Sequence, residues 1–147
     1  MQWPFRAVPA NFLFVQAITI RGRLTAADEP IHFRVAVVDD DPSVRKALGR
    51  LLRSAGYAVS DYASGEALLA DSDIARFGCL VLDIRLPGLG GQDVFRRLES
   101  EQRLPARVVI ITADCNPHML GWAARHGTLL RKPFDGAALL AAVAPAA

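Results

Sequence analysis

Cysteine, lysine and long apolar runs are all scarce in this chain of 147 residues. The cysteines, Cys79 and Cys115, lack the close spacing of a metal-binding motif, and Cys79 opens an apolar run in which a small buried side chain is expected. Such sparse cysteine is consistent with a reducing cytoplasm, which is the location we expect. The formal net charge is +2, without the clustered basic residues that nucleic-acid binding requires. We therefore expect no direct nucleic-acid binding.

The first 32 residues differ from the rest of the chain. Their apolar run, residues 12–20, is far too short to span a bilayer. Arg21 follows that run directly, where the small residues of a signal-peptide cleavage site would stand. We predict that residues 1–32 form a loosely ordered extension outside the core, that residues 33–147 form one domain, and that the chain has no membrane partner.

What the chain does have, from residue 34 onward, is an alternation of short β-branched apolar runs with segments of helical periodicity. Strands are predicted at residues 35–38, 58–62, 80–82, 107–111 and 128–131. Helices are predicted from Pro42 to a stop at Gly56, at 64–70, around Val94 to Leu98, at 117–126, and after a cap at Asp135. Continuous apolar runs are typical of strands buried on both faces of a parallel sheet. The predicted fold class is α/β, a doubly wound five-stranded parallel sheet with helices on both faces.

Polar residues stand where the predicted strands end. Asp39 and Asp40 follow the first strand, Asp83 the third, Thr112 the fourth and Lys132 the fifth. The carboxyl ends of parallel strands share one edge of a sheet, and ligands of such folds bind there. These side chains are therefore predicted to form one site.

The residue types at this edge indicate phosphoryl-transfer chemistry. Three carboxylates repel each other unless a cation lies among them, and Mg²⁺ favours a few carboxylates, waters and a phosphate oxygen. Lys132 is one of two lysines beside fifteen arginines, so a compact ammonium at this position suggests a specific need such as a phosphate. Alternatively the acids are helix caps and solvated loop residues, as is expected of Asp41.

Four motifs resemble, in order and spacing, those of the response-regulator receiver domain of two-component signal transduction. They are Val-Val-Asp-Asp-Asp-Pro at 37–42, Leu-Val-Leu-Asp-Ile-Arg-Leu-Pro-Gly at 80–88, Ile-Ile-Thr-Ala at 110–113 and Arg-Lys-Pro-Phe at 131–134. The resemblance runs from about residue 34 to the last predicted helix, so it makes residues 33–147 the receiver domain. It implies a flavodoxin-like fold with strand order 2-1-3-4-5.

The resemblance also implies which residues hold the phosphoryl group and the metal. Asp83 would accept the phosphoryl group from a phosphohistidine of a sensor histidine kinase or a phosphotransfer protein. Asp40, Asp83 and the backbone carbonyl of Arg85 would bind Mg²⁺ directly, and Asp39 would act mainly through water.

Around the phosphoryl group, the resemblance implies contacts from Thr112, from Lys132 and from the backbone N–H of Ala113, with a cis peptide bond between Lys132 and Pro133. The family usually carries an aromatic residue three positions before the lysine, where this chain has Leu129. The segment from Thr112 to Lys132 is also shorter than is common. The phosphorylation site is thus expected to be intact, and its readout to differ.

The end of the chain bears on the signalling route. It ends soon after the last predicted helix, so we expect no output domain, and a signal passed by phosphorelay or by binding an unknown downstream protein. One alternative is a degenerate receiver that binds a protein constitutively. Another is a phosphatase of the haloacid-dehalogenase type, with Asp39 as nucleophile and Asp41 as acid. That type needs an acidic pair after Lys132, where this chain has only Asp135.

One further pair is suggested by spacing. Arg85 lies two residues after Asp83, and Asp114 lies two residues after Thr112. In a receiver-like site these loops face each other, so we predict an ion pair between Arg85 and Asp114 that covers the phosphoryl group and slows its hydrolysis.

Overall fold

The structure, a computed structural model, describes residues 33–145, so the predicted extension at residues 1–32 lies outside the described part. The strands are β1 (Arg34–Val38), β2 (Ala58–Tyr62), β3 (Cys79–Asp83), β4 (Arg107–Thr112) and β5 (Thr128–Arg131). The helices are α1 (Pro42–Ser54), α2 (Gly65–Leu69), α3 (Gly91–Ser100), α4 (Pro117–His126) and α5 (Gly136–Val143). The strands form one parallel sheet in the order β2-β1-β3-β4-β5. The predicted fold class and strand order are confirmed.

Two apolar cores lie on the two faces of the sheet, because successive side chains of a strand point to opposite faces. Alternate residues of β1 and β3, such as Val35, Val37 and Val81, pack with buried residues of α1 and α5. The intervening residues, such as Val38 and Leu82, pack with buried residues of α2, α3 and α4. Both central strands are therefore buried on both faces, which explains their continuous apolar sequences.

The helix ends match the capping residues in the sequence. Asp41 caps α1 by accepting a hydrogen bond from the backbone N–H of Ser43 at 2.9 Å. Asp135 caps α5 by accepting a hydrogen bond from the backbone N–H of Ala138 at 2.8 Å. Gly56, just beyond α1, has a φ of 95°, a conformation that favours glycine. Both predicted caps and the predicted stop are confirmed.

Gly91 fixes where α3 begins relative to β3. A Cβ atom at this position would lie 2.4 Å from the carbonyl oxygen of Asp83, which no real side chain tolerates. The absent side chain lets α3 start directly against the carboxyl end of β3. The position of Asp83 thus depends on a close backbone approach.

Cys79 is buried as expected, and the aromatic and histidine residues of α4 lie away from the acids. Cys79 and Trp122 are buried, and Trp122 packs edge-on against Phe95 with ring centroids 5.2 Å apart. His118 and His126 are exposed on α4. Among residues 33–145, no helix combines the length and apolar character needed to cross a bilayer.

Candidate functional site

Three carboxylates meet at the carboxyl edge of the sheet. Asp39, Asp40 and Asp83 each offer a carboxylate oxygen, and these oxygens all lie within 4.8 Å of one another. Asp39 and Asp83 are buried, whereas Asp40 is exposed. The cluster is therefore reached from solvent on the side of Asp40.

Lys132 supplies the counter-charge. Its Nζ donates to Oδ2 of Asp39 at 2.8 Å and to Oδ2 of Asp83 at 3.0 Å. Its backbone N–H donates to the carbonyl oxygen of Thr112 at 2.8 Å, which fixes the end of β5 against that of β4. The peptide bond to Pro133 is cis, as expected. Burial acts to lower the pKa of Lys132, but hydrogen bonds and charges of the two aspartates outweigh it and raise that pKa.

Backbone N–H groups hold the other oxygens of the two buried carboxylates. Oδ1 of Asp39 accepts from the N–H of Asp41 at 2.9 Å, and Oδ1 of Asp83 accepts from the N–H of Arg85 at 3.0 Å. Both loops that follow the strands are thereby tied to the acids that they carry. Each carboxylate has a defined orientation before any ligand arrives.

The pKa of Asp83 reflects opposing influences. Burial has the largest effect and raises this pKa, the Lys132 ammonium lowers it, and the Asp39 carboxylate raises it; the net result is a pKa of about 6. A raised pKa means that ionised Asp83 is costly in this position without further positive charge. One ammonium among three carboxylates leaves an excess of negative charge at the edge.

The donor set fits Mg²⁺, a hard cation that prefers carboxylate oxygens and water. Asp40 and Asp83 are placed to bind it, with Asp39 beside them. The carbonyl of Arg85 belongs to the loop fixed on Asp83. The set of direct ligands remains a prediction.

The predicted phosphate contacts lie around the acids. Thr112 is buried at the end of β4, and its Oγ1 accepts from the backbone N–H of Asp114 at 2.9 Å. Ala113 is exposed and, with Lys132 and Pro133, lines an open cavity of about 420 Å³ that continues along α1. Lys132, which donates to Asp83, therefore also faces an open space.

The predicted ion pair is present. Nε of Arg85 lies 3.2 Å from Oδ2 of Asp114. The pKa of Asp114 is lowered, first by the backbone N–H of Asn116 and further by the Arg85 charge. The pair joins the loops after β3 and β4; its effect on hydrolysis remains a prediction.

The expected change at the readout position also has a structural counterpart. Leu129 lies half-buried on the edge strand β5 and packs against the core on the side of α2, α3 and α4. Only Gly127 separates α4 from β5. An apolar side chain at this position has no hydroxyl with which to change hydrogen-bond partners.

Sequence reasoning missed two residues near the acids. Nη1 of Arg45 donates to the carbonyl oxygen of Asp39 at 2.8 Å, and its Nε lies 3.5 Å from Oδ2 of Asp61. Asp61 lies on β2, and no local sequence pattern predicts that it meets Arg45. In a chain with fifteen arginines, no residue-type signal distinguishes Arg45.

Comparisons with known proteins agree with this geometry. A family model for the response regulator receiver domain matches residues 35–144. The transcriptional regulatory protein FixJ of Azorhizobium caulinodans is 36% identical over 116 residues, which cover 78% of this chain and 53% of that protein. The chain spans about half the length of the curated relatives that it matches.

Solved structures show the same likeness. The response regulator StyR is 39% identical with a TM-score of 0.68, over 75% of this chain and 56% of that one. The chemotaxis protein CheY4 of Vibrio cholerae is 28% identical with a TM-score of 0.66, over 74% of this chain and 92% of that one. With the family match across residues 35–144, these likenesses show that the chain belongs to the response regulator receiver domain family.

Proposed function

We propose that the chain is a phosphoacceptor signalling domain, with Asp83 as the residue that is phosphorylated. The observation that carries this proposal is the placement of Asp83: its carboxylate lies within 4.8 Å of two other acids and is held by Lys132, which also lines an open cavity. A sensor histidine kinase or a phosphotransfer protein would supply the phosphoryl group as phosphohistidine. A carboxylate oxygen of Asp83 attacks phosphorus, the N–P bond breaks, and its electron pair leaves with the imidazole.

The residues of the chain divide the remaining work. Lys132, Thr112 and the backbone N–H of Ala113 contact the phosphoryl oxygens, because charge stabilisation provides most of the catalysis in such transfers. Asp40, Asp83 and the Arg85 carbonyl hold Mg²⁺, and when bound the ion supplies positive charge to the transferring oxygens. The domain thereby promotes its own phosphorylation and dephosphorylation. It is not an enzyme that turns over a separate substrate.

The second part of the proposal concerns how the domain passes on its phosphorylation state. We propose a cytoplasmic domain that passes its state to an unknown downstream protein or relays the phosphoryl group, without binding nucleic acid itself. FixJ is named a transcriptional regulatory protein, and the matched region is 53% of it. Because Leu129 stands at the usual aromatic position, we propose that phosphorylation is communicated by changes in apolar packing and in the backbone, and not by a side-chain hydroxyl.

A small phosphodonor tests this function without the cognate kinase. Wild type and Asp83→Asn are incubated with Mg²⁺ and acetyl phosphate, and intact mass and free phosphate are both measured. A gain of one phosphoryl group in the wild type alone supports the proposal. Rapid phosphate release with a modified Asp39 supports a phosphatase, and an unmodified wild type supports a constitutive binding module.

A further inference from the structure

Arg45 connects the acidic cluster to the edge of the sheet. It lies in α1, one turn after the acidic loop, and its side chain is 19% exposed. Nη1 donates to the carbonyl oxygen of Asp39 at 2.8 Å, and Nε faces the Asp61 carboxylate at 3.5 Å. One planar guanidinium thus contacts the acidic loop and β2 together, a geometry that suits arginine and that a lysine ammonium does not reproduce.

With this contact, every polar group of Asp39 has a partner. Its N–H donates to the carbonyl oxygen of Tyr62 at 3.2 Å, and its carboxylate oxygens accept from Asp41 and from Lys132. Its carbonyl oxygen accepts from Arg45. That carbonyl belongs to the peptide group that joins Asp39 to Asp40, so Arg45 fixes the plane from which the next residue projects.

Two effects of Arg45 on a bound cation have opposite signs. Its positive charge near three carboxylates repels a divalent cation, so by charge alone its removal tightens binding. Its hydrogen bond to the Asp39 carbonyl oxygen orients the peptide group before Asp40 and hence the exposed Asp40 carboxylate. Through this effect on orientation, removal of Arg45 weakens cation binding. The direction of the change therefore shows which effect dominates.

We propose that Arg45 is a positioning residue for divalent-cation binding, acting through the Asp39 carbonyl with Asp61 as its anchor. The inference rests on the proposed function in one respect, the placement of Mg²⁺ among Asp39, Asp40 and Asp83. Groups that orient metal ligands without touching the ion often change affinity on the order of 10-fold or more. Arg45 has that relation to Asp40.

Calorimetric titration with Mg²⁺, with no phosphodonor present, tests the proposal. Arg45→Ala and Arg45→Lys are both expected to weaken Mg²⁺ binding on the order of 10-fold. Asp61→Asn is expected to weaken it less, because Arg45 keeps its bond to Asp39. Arg50→Ala is the matched control, since it removes an exposed charge from the same helix; its affinity should stay within about twofold of the wild type, because exposed charges are well screened.

The lysine variant separates position from charge, because it keeps the charge and loses the two-sided contact. Melting temperatures without metal show that each variant is folded, and Arg45→Lys decides the matter if Arg45→Ala does not fold. Affinity equal to or tighter than wild type in Arg45→Lys overturns the inference while leaving the proposed function intact. A wild type that does not bind Mg²⁺ overturns the metal site of the proposed function and this inference with it.

Discussion

Burial raises the pKa of Asp83 to about 6, although the Lys132 ammonium acts to lower it. The folded protein therefore holds this proton more tightly than the unfolded chain does. The protonated carboxyl group of Asp83 therefore contributes to the stability of the fold, and this contribution is fully present below the ordinary aspartate pKa of about 4. It is lost as the pH rises through about 6.

From this we predict a pH-dependent effect of Asp83→Asn on the metal-free protein. The variant keeps the shape of the residue and cannot ionise, so it should melt a few degrees higher than the wild type at pH 7.5. At pH 4.5 the difference should shrink, because Asp83 is then largely protonated. Thermal melts in chelator at both pH values measure it; a variant that melts markedly lower at pH 7.5 contradicts the charge argument.

The Arg85–Asp114 pair leads to a prediction about phosphoprotein lifetime. The Arg85 side chain is largely exposed, so its ion pair with Asp114 contributes little to stability, but the pair can cover the path of an attacking water. Alanine at either position should shorten the lifetime of the phosphorylated form, and the double variant should be no faster than the faster single variant. Phosphate release after removal of acetyl phosphate measures the lifetime.

A matched control is available on α3, where Arg96 and Asp93 form an exposed pair with N and O atoms 4.0 Å apart. Arg96→Ala removes the same kind of charge away from the acids and should leave the lifetime unchanged. Additive effects of the Arg85 and Asp114 substitutions would show that the residues act separately. Unchanged lifetimes in the single variants would show that the pair does not cover the site.

At the scale of elements, Asp41 at the start of α1 has two possible roles that a substitution can distinguish. As an N-cap that accepts from Ser43, it stabilises the helix; as a phosphatase acid, it would be needed for chemistry. We predict that Asp41→Ala lowers the free energy of unfolding by about 1 kcal/mol and leaves phosphorylation by acetyl phosphate unchanged. Denaturant unfolding and intact mass check the two parts.

Asp135→Ala is the comparison variant, because Asp135 is also a side-chain N-cap, of α5, and lies outside the acidic cluster. The two variants should lose similar stability. Loss of phosphorylation in Asp41→Ala alone would give Asp41 a chemical role.

The strands and caps were predictable from sequence because their causes are local. Central parallel strands are continuous apolar runs, and the predicted fourth helix, 117–126, has the bounds of α4. The 3₁₀ turn at Ile74–Arg76 was not predicted, since it depends on burial of Ile74 and Phe77 among residues far apart in sequence.

The site divides along the same line. Its acids, Thr112 and Lys132 stand at strand ends, where topology alone brings them together. The partners of Arg45 could not be predicted, because Asp61 reaches it only through the pairing of β2 with β1. Long-range contacts of flexible side chains leave no periodic pattern in the sequence.

At the scale of the whole molecule, metal binding is coupled to stability. A ligand that binds only the folded state raises the melting temperature by mass action. We predict that Mg²⁺ raises the melting temperature of the wild type by a few degrees and that of Asp40→Ala much less, since Asp40 is the exposed acid of the cluster. Melts with Mg²⁺ and with chelator measure the shifts. Equal shifts in both proteins would place the metal elsewhere.

The identity of the phosphorylated residue tests the account most directly. An aspartyl phosphate is an acyl phosphate, which borohydride reduces at the carbonyl carbon to homoserine. After phosphorylation with acetyl phosphate and Mg²⁺, reduction and digestion, peptide mass spectrometry locates that homoserine. The account predicts homoserine at position 83 in the wild type and none in Asp83→Asn. Homoserine at position 39, or the same modification in both proteins, would contradict it.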